Sequence, residues 1–311
     1  MELRDLKALV SIAEMGSISG AAHKLNLTQP GLSALLRRLE DELGVRIMNR
    51  HSRGVALTVE GKYLLERAYR ILNDVAETSS ALREIAEEPV GTVRIGLPTS
   101  AASGLIPAFV PEILQRYPRI HLHIIEAMSG SLVELLQLGR LDMAMLFDVQ
   151  PMPGLRSEPI LSEEVRFLVR KGDPLANRRT VTLEEIAQHG VVLPSASHSI
   201  RQFVERAANA EGVRLKVDAD VDSFSGLIGL VLAGNATILP PYLLMEEIRA
   251  GSIKAIRIEQ PSMQWTLHLA TRLDSVRPRA VMMVGRQLVE KCVGLVNTGA
   301  WPGKVHAQHT I

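Results

Sequence analysis

From Thr58 to Glu88 the chain runs for 31 residues without a proline, and its apolar residues keep one seam. Leu64, Ala68, Ile71, Val75, Thr78, Leu82 and Ile85 alternate spacings of four and three, the heptad pattern of a helix that packs along its length. At 1.5 Å per residue such a helix would span about 46 Å, too long to lie inside one small domain. Pro89 and Gly91 then break it. A helix with a seam to bury needs a partner, and a second copy of the chain, giving a homodimer through Leu64–Ile85, is the simplest one. The chain is therefore expected to divide into an N-terminal domain at 1–58, a linker and dimerisation helix at 59–90 and a larger domain at 91–296. A tail at 297–311 is expected to be frayed and without function.

Ahead of that helix, Leu3, Leu6, Leu9, Val10 and Ala13 recur at helical spacing, and Gly16 ends the run. Ser17 or Ser19 can cap a short second helix carrying Ala21, Ala22 and Leu25, where small side chains let another helix cross closely. Thr28 is a good N-cap for a third helix, with Pro30 tolerated in its first turn. Leu32, Leu35, Leu36, Leu39 and Leu43 form its apolar stripe, and Gly44 closes it. Between Val45 and Val59, short apolar runs flank a basic tip from Asn49 to Gly54, which reads as a two-stranded wing.

A helix can enter a DNA major groove only if one side packs on its domain while the other stays polar. The leucine stripe supplies the packed side; off it lie Thr28, Gln29, Pro30, Ser33, Ala34, Arg37 and Arg38. Gln29 and Ser33 are the candidate base readers, since glutamine can bond adenine in bidentate fashion. Arg37, Arg38 and the helix N-terminus suit phosphates. Arg50 and Arg53 on the wing could reach a flanking minor groove. Residues 1–70 hold eleven Lys and Arg against eight Asp and Glu, a surplus of three, whereas the whole chain carries only +1. Any nucleic-acid contact must therefore be a local patch. An ordinary helical bundle with a solvated charged face would show the same pattern.

The segment GSISGAAHKLNLTQPGLSALLRRLEDELGVRIMNRHSRGVALTVEGK resembles the N-terminal signature of LysR-type transcriptional regulators. The shared features are a Gly-Ser start, paired alanines, Gln-Pro opening the recognition helix, then Ser and Leu-Glu, and a Leu-Thr-x-x-Gly entry to the linker helix at Leu57, Thr58 and Gly61. Gly31 stands where such proteins usually carry Ala, and Ala34 where many carry Arg. The resemblance implies a winged helix-turn-helix, a dimerising linker helix and a two-lobed α/β effector domain like periplasmic solute-binding proteins. It further implies assembly as a homotetramer on double-stranded promoter DNA, with RNA polymerase a further candidate partner.

Beyond the linker, short β-branched strands alternate with helices, an α/β pattern expected to be mostly parallel. Strands are expected at Thr92–Leu97, His121–Glu126, Asp142–Phe147, Val165–Val169, Val191–Leu193, Lys216–Val221, Ala236–Leu239 and Gln264–Thr271. Crossings near Leu161–Glu164 and Ser262–Thr266 would separate lobe one (91–161 and 267–296) from lobe two (162–266). A ligand then belongs between the lobes, outside strand C-termini and against helix N-termini. The resemblance places Thr99, Ser100, Ser129 and the Ser197–Ser199 loop, with His198, at the effector; Phe147 ends a strand there, and Arg201 sits on the following helix. Hydroxyls and free N–H groups favour an anion, although helix capping alone would also explain serines at these positions. The stretch SGSLVELLQLGRLDMAMLFD is most similar to the nitrogen-assimilation-control branch. An aromatic content of 4% argues against a large aromatic-lined pocket.

Other classes find less support. No nucleophile–base pair, cofactor loop or metal-ligand cluster is evident: no enzyme, no cofactor and no metal are expected. His121 and His123 share one strand face without a third ligand. The one cysteine, Cys292, cannot build a disulfide. No apolar run reaches the 18–20 or so residues of a membrane span, and the charged N-terminus lacks a signal-peptide pattern, so the cytoplasm is the expected compartment.

Overall fold

The computed structural model describes residues 1–51, 54–84, 89–149, 152–259, 261–273 and 278–306. They form two compact units. In the N-terminal unit, α1 (Leu3–Met15), α2 (Ile18–Lys24) and α3 (Gln29–Leu43) are followed by a hairpin of β1 (Met48–His51) and β2 (Gly54–Leu57), then by α4 (Val59–Glu84). The expected caps form: Ser17 accepts from Gly20 N, and Thr28 Oγ1 from Gly31 N at 3.2 Å. Leu32, Leu36 and Leu39 pack with Leu6, Leu9 and Ile12. Leu43, expected on that stripe, is instead exposed at its end. The hairpin runs in antiparallel register, Met48 opposite Leu57 and Arg50 opposite Val55. Glu40 explains the Leu-Glu step of the signature, because its Oε1 accepts from Ile47 N at 2.9 Å and Met48 N at 3.2 Å.

The seam of α4 is shared rather than free. Ala68 is fully buried in this unit's own core, with Leu64 packed beside it, whereas Ile71 and Val75 are exposed. A partner helix could meet the seam only from Ile71 onward; Leu82 and Ile85 fall outside the residues whose side chains are described.

The C-terminal unit begins with β3 (Gly91–Leu97), α5 (Thr99–Arg116), β4 (Ile120–Glu126), α6 (Ser129–Gln137), β5 (Met143–Phe147) and β6 (Leu155–Glu164). The chain then crosses to a second lobe: β7 (Arg166–Arg170), β8 (Thr180–Val181), α7 (Leu183–His189), β9 (Val191–Leu193), α8 (Ser199–Ala210), β10 (Val217–Asp220), α9 (Phe224–Ala233), β11 (Thr237–Leu239), a 3₁₀ turn at Pro241–Leu244, α10 (Met245–Arg249) and β12 (Ile253–Ile258). It returns through β13 (Gln264–Arg272) to α11 (Arg279–Asn297) and β14 (Lys304–Val305). The first lobe holds a sheet in the order β14-β6-β13-β5-β3-β4; the second holds β11-β7-β12-β8 and the parallel pair β10-β9.

Three expectations are corrected. The sheets are not mostly parallel: β13 pairs antiparallel with both β5 and β6, and β7 antiparallel with β11 and β12. Crossing strands that leave a lobe and return to it must run in opposite directions. The strand expected at Thr92–Leu97 is followed by a helix, residues 99–116, that the strand–helix reading does not mark; it accommodates Pro107 and Pro111 while burying Ala101, Ala102, Leu105, Phe109 and Ile113. Most plainly, residues 298–306 are not frayed; 307–311 lie outside the described residues. Trp301 is fully buried and Lys304–Val305 extend the sheet.

Candidate functional site: a nucleic-acid interface and an interlobe cleft

Helices α2 and α3 meet through a turn in which Asn26 takes a left-handed conformation (φ 53°), with Leu27 N donating to Ala22 O at 2.9 Å. That turn sends the N-terminus of α3 outward. Thr28, Gln29, Pro30, Ala34, Arg37 and Arg38 are all exposed on one side, opposite the buried leucines. Gln29 is the side chain left for base edges, since the Thr28 hydroxyl is engaged as the cap. Ser33 departs from the expectation: only 6% exposed, it lies beside the packed stripe and does not present a free polar face. Arg37 Nε donates to Ser33 O at 3.4 Å.

Arg38 is held. Its guanidinium donates to Asp5 Oδ1 at 2.5 Å, while Asp5 Oδ2 accepts from Glu2 N at 2.7 Å. Asp5 is buried, so this pair steers the Arg38 fork rather than leaving it to swing. Beside it a recess of about 330 Å³ is lined by Arg4, Thr28, Gly31 and Arg38. Sequence reasoning missed Arg4, whose place at the start of α1 put it outside the α3 pattern. Arg50 is placed by its backbone pairing with Val55; Arg53 lies outside the described residues.

In the C-terminal unit, topology brings four of the eight predicted effector residues to one sheet end. β3 runs parallel to both β4 and β5, with Leu97 opposite Glu126 and Gly96 opposite Ala144. Thr99 and Ser100 open α5 just beyond β3, Ser129 opens α6 just beyond β4, and Phe147 ends β5. Ser100 is buried, and Ser129 Oγ is buried without a hydrogen-bond partner among the described residues.

From the second lobe, α8 faces this edge. Phe147 stacks on Trp265 with ring centroids 3.8 Å apart, and Phe203 of α8 lies 6.4 Å from the same indole. Arg206, also on α8, pairs with Asp148, which sits in a left-handed conformation (φ 52°) directly after β5. Three of the chain's few aromatic rings meet here. Trp265, Phe203, Asp148 and Arg206 were all missed. Only Trp265 carried a signal, as a tryptophan inside the segment expected to cross between lobes.

The loop before α8 is internally satisfied. Ser195 and Ser197 share a hydrogen bond (Oγ to Oγ 3.0 Å), and His198 Nε2 lies 3.3 Å from Asp222 Oδ1. Asp222 also accepts from Ser195 N at 2.8 Å, which helps hold its carboxyl below the usual range. Ser199 begins α8. Arg201, expected at the effector, is committed elsewhere: its guanidinium donates to Glu205, Asp220 and Pro194 O at 2.6, 2.9 and 3.0 Å. It braces the loop and has little charge left for a ligand. Two helices, α5 and α6, begin at this edge just beyond the adjacent parallel strands β3 and β4, and each contributes a positive dipole end. Among the described residues, no group of three His, Cys, Asp or Glu side chains could hold a metal ion, and no helix is long and apolar enough to cross a membrane.

Comparison with known proteins places both units. Residues 3–62 match the model for bacterial regulatory helix-turn-helix proteins of the lysR family, and residues 86–292 match the LysR substrate binding domain. The chain is 30% identical to the HTH-type transcriptional regulator BbuR of Bordetella bronchiseptica, covering 94% of this chain and 90% of that one. It is also 30% identical to the nitrogen assimilation regulatory protein nac of Klebsiella aerogenes, covering 90% and 92%. Among solved structures, a full-length OxyR variant from Pseudomonas aeruginosa superposes with TM-score 0.73 at 23% identity, covering 93% and 98%. Full-length CbnR in complex with its target DNA gives TM-score 0.67 at 21% identity, covering 94% and 100%.

Proposed function

Because the chain belongs to the LysR family of DNA-binding transcriptional regulators, we propose that α3 reads an operator through its exposed side while a small anion between the two C-terminal lobes sets the response. The observation that carries the first half is the division of α3, with Leu32, Leu36 and Leu39 at most 3% exposed and Gln29 and Arg37 facing solvent. Two such helices, paired through the exposed part of α4 from Ile71 onward, would meet half-sites one helical turn apart. That is a homodimer, with a tetramer as its pair; sedimentation of the purified chain with and without operator gives the stoichiometry. Duplex DNA and a small metabolite are cytoplasmic partners.

Retardation of DNA from upstream of its own coding region is the direct test. Gln29→Ala is expected to cost about 1–3 kcal/mol on the cognate site and little on random duplex. Arg37→Ala is expected to weaken both alike and to lower the salt slope by about one. Equal losses on cognate and random DNA in the two variants would remove the base-reading role from Gln29.

The second half rests on the N-termini of α5 and α6 lying side by side at the sheet end that carries the Phe147–Trp265–Phe203 cluster, with Ser129 Oγ unpartnered among the described residues. Backbone N–H groups and dipole ends of this kind favour carboxylate or phosphate heads. Ser100→Phe would force a bulky ring into the start of α5, where Ser100 is buried. In thermal-shift titrations with a panel of small carboxylates and phosphates, that variant is expected to lose a stabilisation the parent shows, with DNA affinity intact. A retained response would place the ligand elsewhere.

Several relatives are hydrogen peroxide-inducible gene activators, but a thiol sensor needs an accessible sulfur with thiolate character. Cys292 is the chain's one cysteine; it is buried in α11, and burial pushes its thiol up to about 12. A metabolite fits this chain better than an oxidant.

A further inference from the structure

After α11 the chain turns back and grips β6 from both sides. The Trp301 ring stacks on Tyr242 with centroids 4.0 Å apart, and its Nε1 donates to Glu163 Oε2 at 2.9 Å. Three residues on, Lys304 and Val305 pair with Ser162 and Leu161, and His306 Nε2 lies 2.6 Å from Ser162 Oγ. Successive strand residues face opposite sides of a sheet, so Glu163 and Ser162 are held on opposite faces. The crossing falls at Gly303, where an added Cβ would sit 2.8 Å from Ser162 O; no larger residue fits that approach without a shift. Residues 301–306 thus form a strap around β6, just where the chain leaves the first lobe.

On the Ser162 side, the strap, β6, β7 and β13 enclose an open recess of about 830 Å³, a size that suits a small molecule. Its charge is unbalanced. Glu164 is the acidic group there, and both its oxygens are engaged: Oε2 by Arg166 at 3.0 Å and Oε1 by Arg257 at 3.1 Å. With Lys304 on the strap, the lining carries two permanent cations, Arg166 and Lys304, against this one carboxylate, whose charge Arg257 also offsets. Arg166 Nε is buried and has no hydrogen-bond partner among the described residues, while Pro241 and Pro302 give an apolar wall.

We propose that this recess is a second binding site, taking a small organic anion whose carboxylate or phosphate head is met by Arg166 and Lys304. It is distinct from the interlobe cleft: Gln264 lines the recess, and its neighbour Trp265, stacked on Phe147, points to the other face of β13. An anion bridging Lys304 and Arg166 ties the strap to the first strand of the second lobe. Occupancy therefore bears on how freely the lobes move at their hinge.

Isothermal calorimetry on the full chain, with benzoate, succinate and inorganic phosphate at matched ionic strength, decides the matter. Saturable binding of at least one is expected, with Kd of about 1 mM or tighter. Lys304→Ala lies on an exposed edge and leaves the fold intact; Arg166→Gln leaves Glu164 with Arg257. Each is expected to weaken binding about tenfold or more, and Ser100→Phe to leave it unchanged. Absence of saturable binding by all three probes overturns the site. So does binding that survives Lys304→Ala and Arg166→Gln but disappears in Ser100→Phe, which would assign the anion to the cleft.

Discussion

Replacing Gly61 with alanine is expected to destabilise the N-terminal unit markedly, and to weaken DNA binding through that loss of fold, without touching its DNA-facing surface. A Cβ at Gly61 would sit 1.9 Å from Ile47 O and 2.9 Å from Ile47 C. Those are backbone atoms, and they cannot retreat. Ile47 O already accepts from Thr58 N at 3.1 Å, Ile47 N donates to Glu40, and the Ile47 side chain is 1% exposed in the core. The first turn of α4 is pinned from its own side too, as Thr58 Oγ1 donates to Arg46 O at 2.8 Å. Overpacking of a well-filled site usually costs about 1–3 kcal/mol, occasionally more, and a main-chain clash belongs at the upper end. Alanine's better helix propensity returns at most about 1 kcal/mol. In a unit of this size a net loss of about 2 kcal/mol lowers the melting temperature by about 10 °C. Circular-dichroism melts beside DNA retardation give the answer, with Gly31→Ala as the contrast, since a methyl there meets only Thr28 Oγ1 at 3.0 Å. A Gly61→Ala protein that melts with its parent would refute the packing account of the Leu-Thr-x-x-Gly step.

That step illustrates what a sequence can and cannot disclose. Local rules carried far: Ser17 and Thr28 cap as their chemistry suggests, and β9 spans the same three residues expected for it. Helical and strand periodicity are written in neighbours, and so are caps. The failures have two causes, local signals misread and partners distant in sequence. Helix α5 was hidden by Pro107 and Pro111, yet Leu105, Phe109 and Ile113 recur every four residues and could have revealed it. Ser33 was placed on the polar side because it is polar, although it borders the leucine stripe and is covered there. Arg201 looked like a ligand contact until Asp220 and Glu205 claimed it. Asp148 and Arg206 lie 58 residues apart, and Trp301 and Glu163 138 apart; no local pattern joins such pairs. Trp301, set between Ala300 and Pro302-Gly303, reads as a loose tail until its buried carboxyl partner is known.

At pH 8 the Glu163→Gln variant is expected to melt well above its parent, and at pH 5 close to it. Glu163 is fully buried; one carboxyl oxygen accepts from the Trp301 indole and the other has no hydrogen-bond partner among the described residues. Burial pushes the carboxyl up to about 8, and the indole N–H, which favours the ionised form, draws it back only in part. The folded chain therefore holds this proton more tightly than the unfolded one, whose carboxyl titrates near 4.5. Stability from the neutral carboxyl is complete below the unfolded value and drains away as pH rises from there through about 8. Glutamine keeps an oxygen for Trp301 and never ionises, so it escapes that decline. Each unit between the two values is worth about 1.4 kcal/mol as an upper bound, and about 2–4 °C of melting temperature per kcal/mol follows for a unit of this length. Trp301→Ala should behave differently. Deleting a buried tryptophan costs about 3–5 kcal/mol at any pH, and it also strips Glu163 of its one donor, so the loss should grow toward pH 8. Calorimetric melts of the three proteins between pH 5 and 8 separate the two effects. If neither variant departed from its parent at pH 8, the indole–carboxyl contact would not exist in solution, and the strap that depends on it would fall as well.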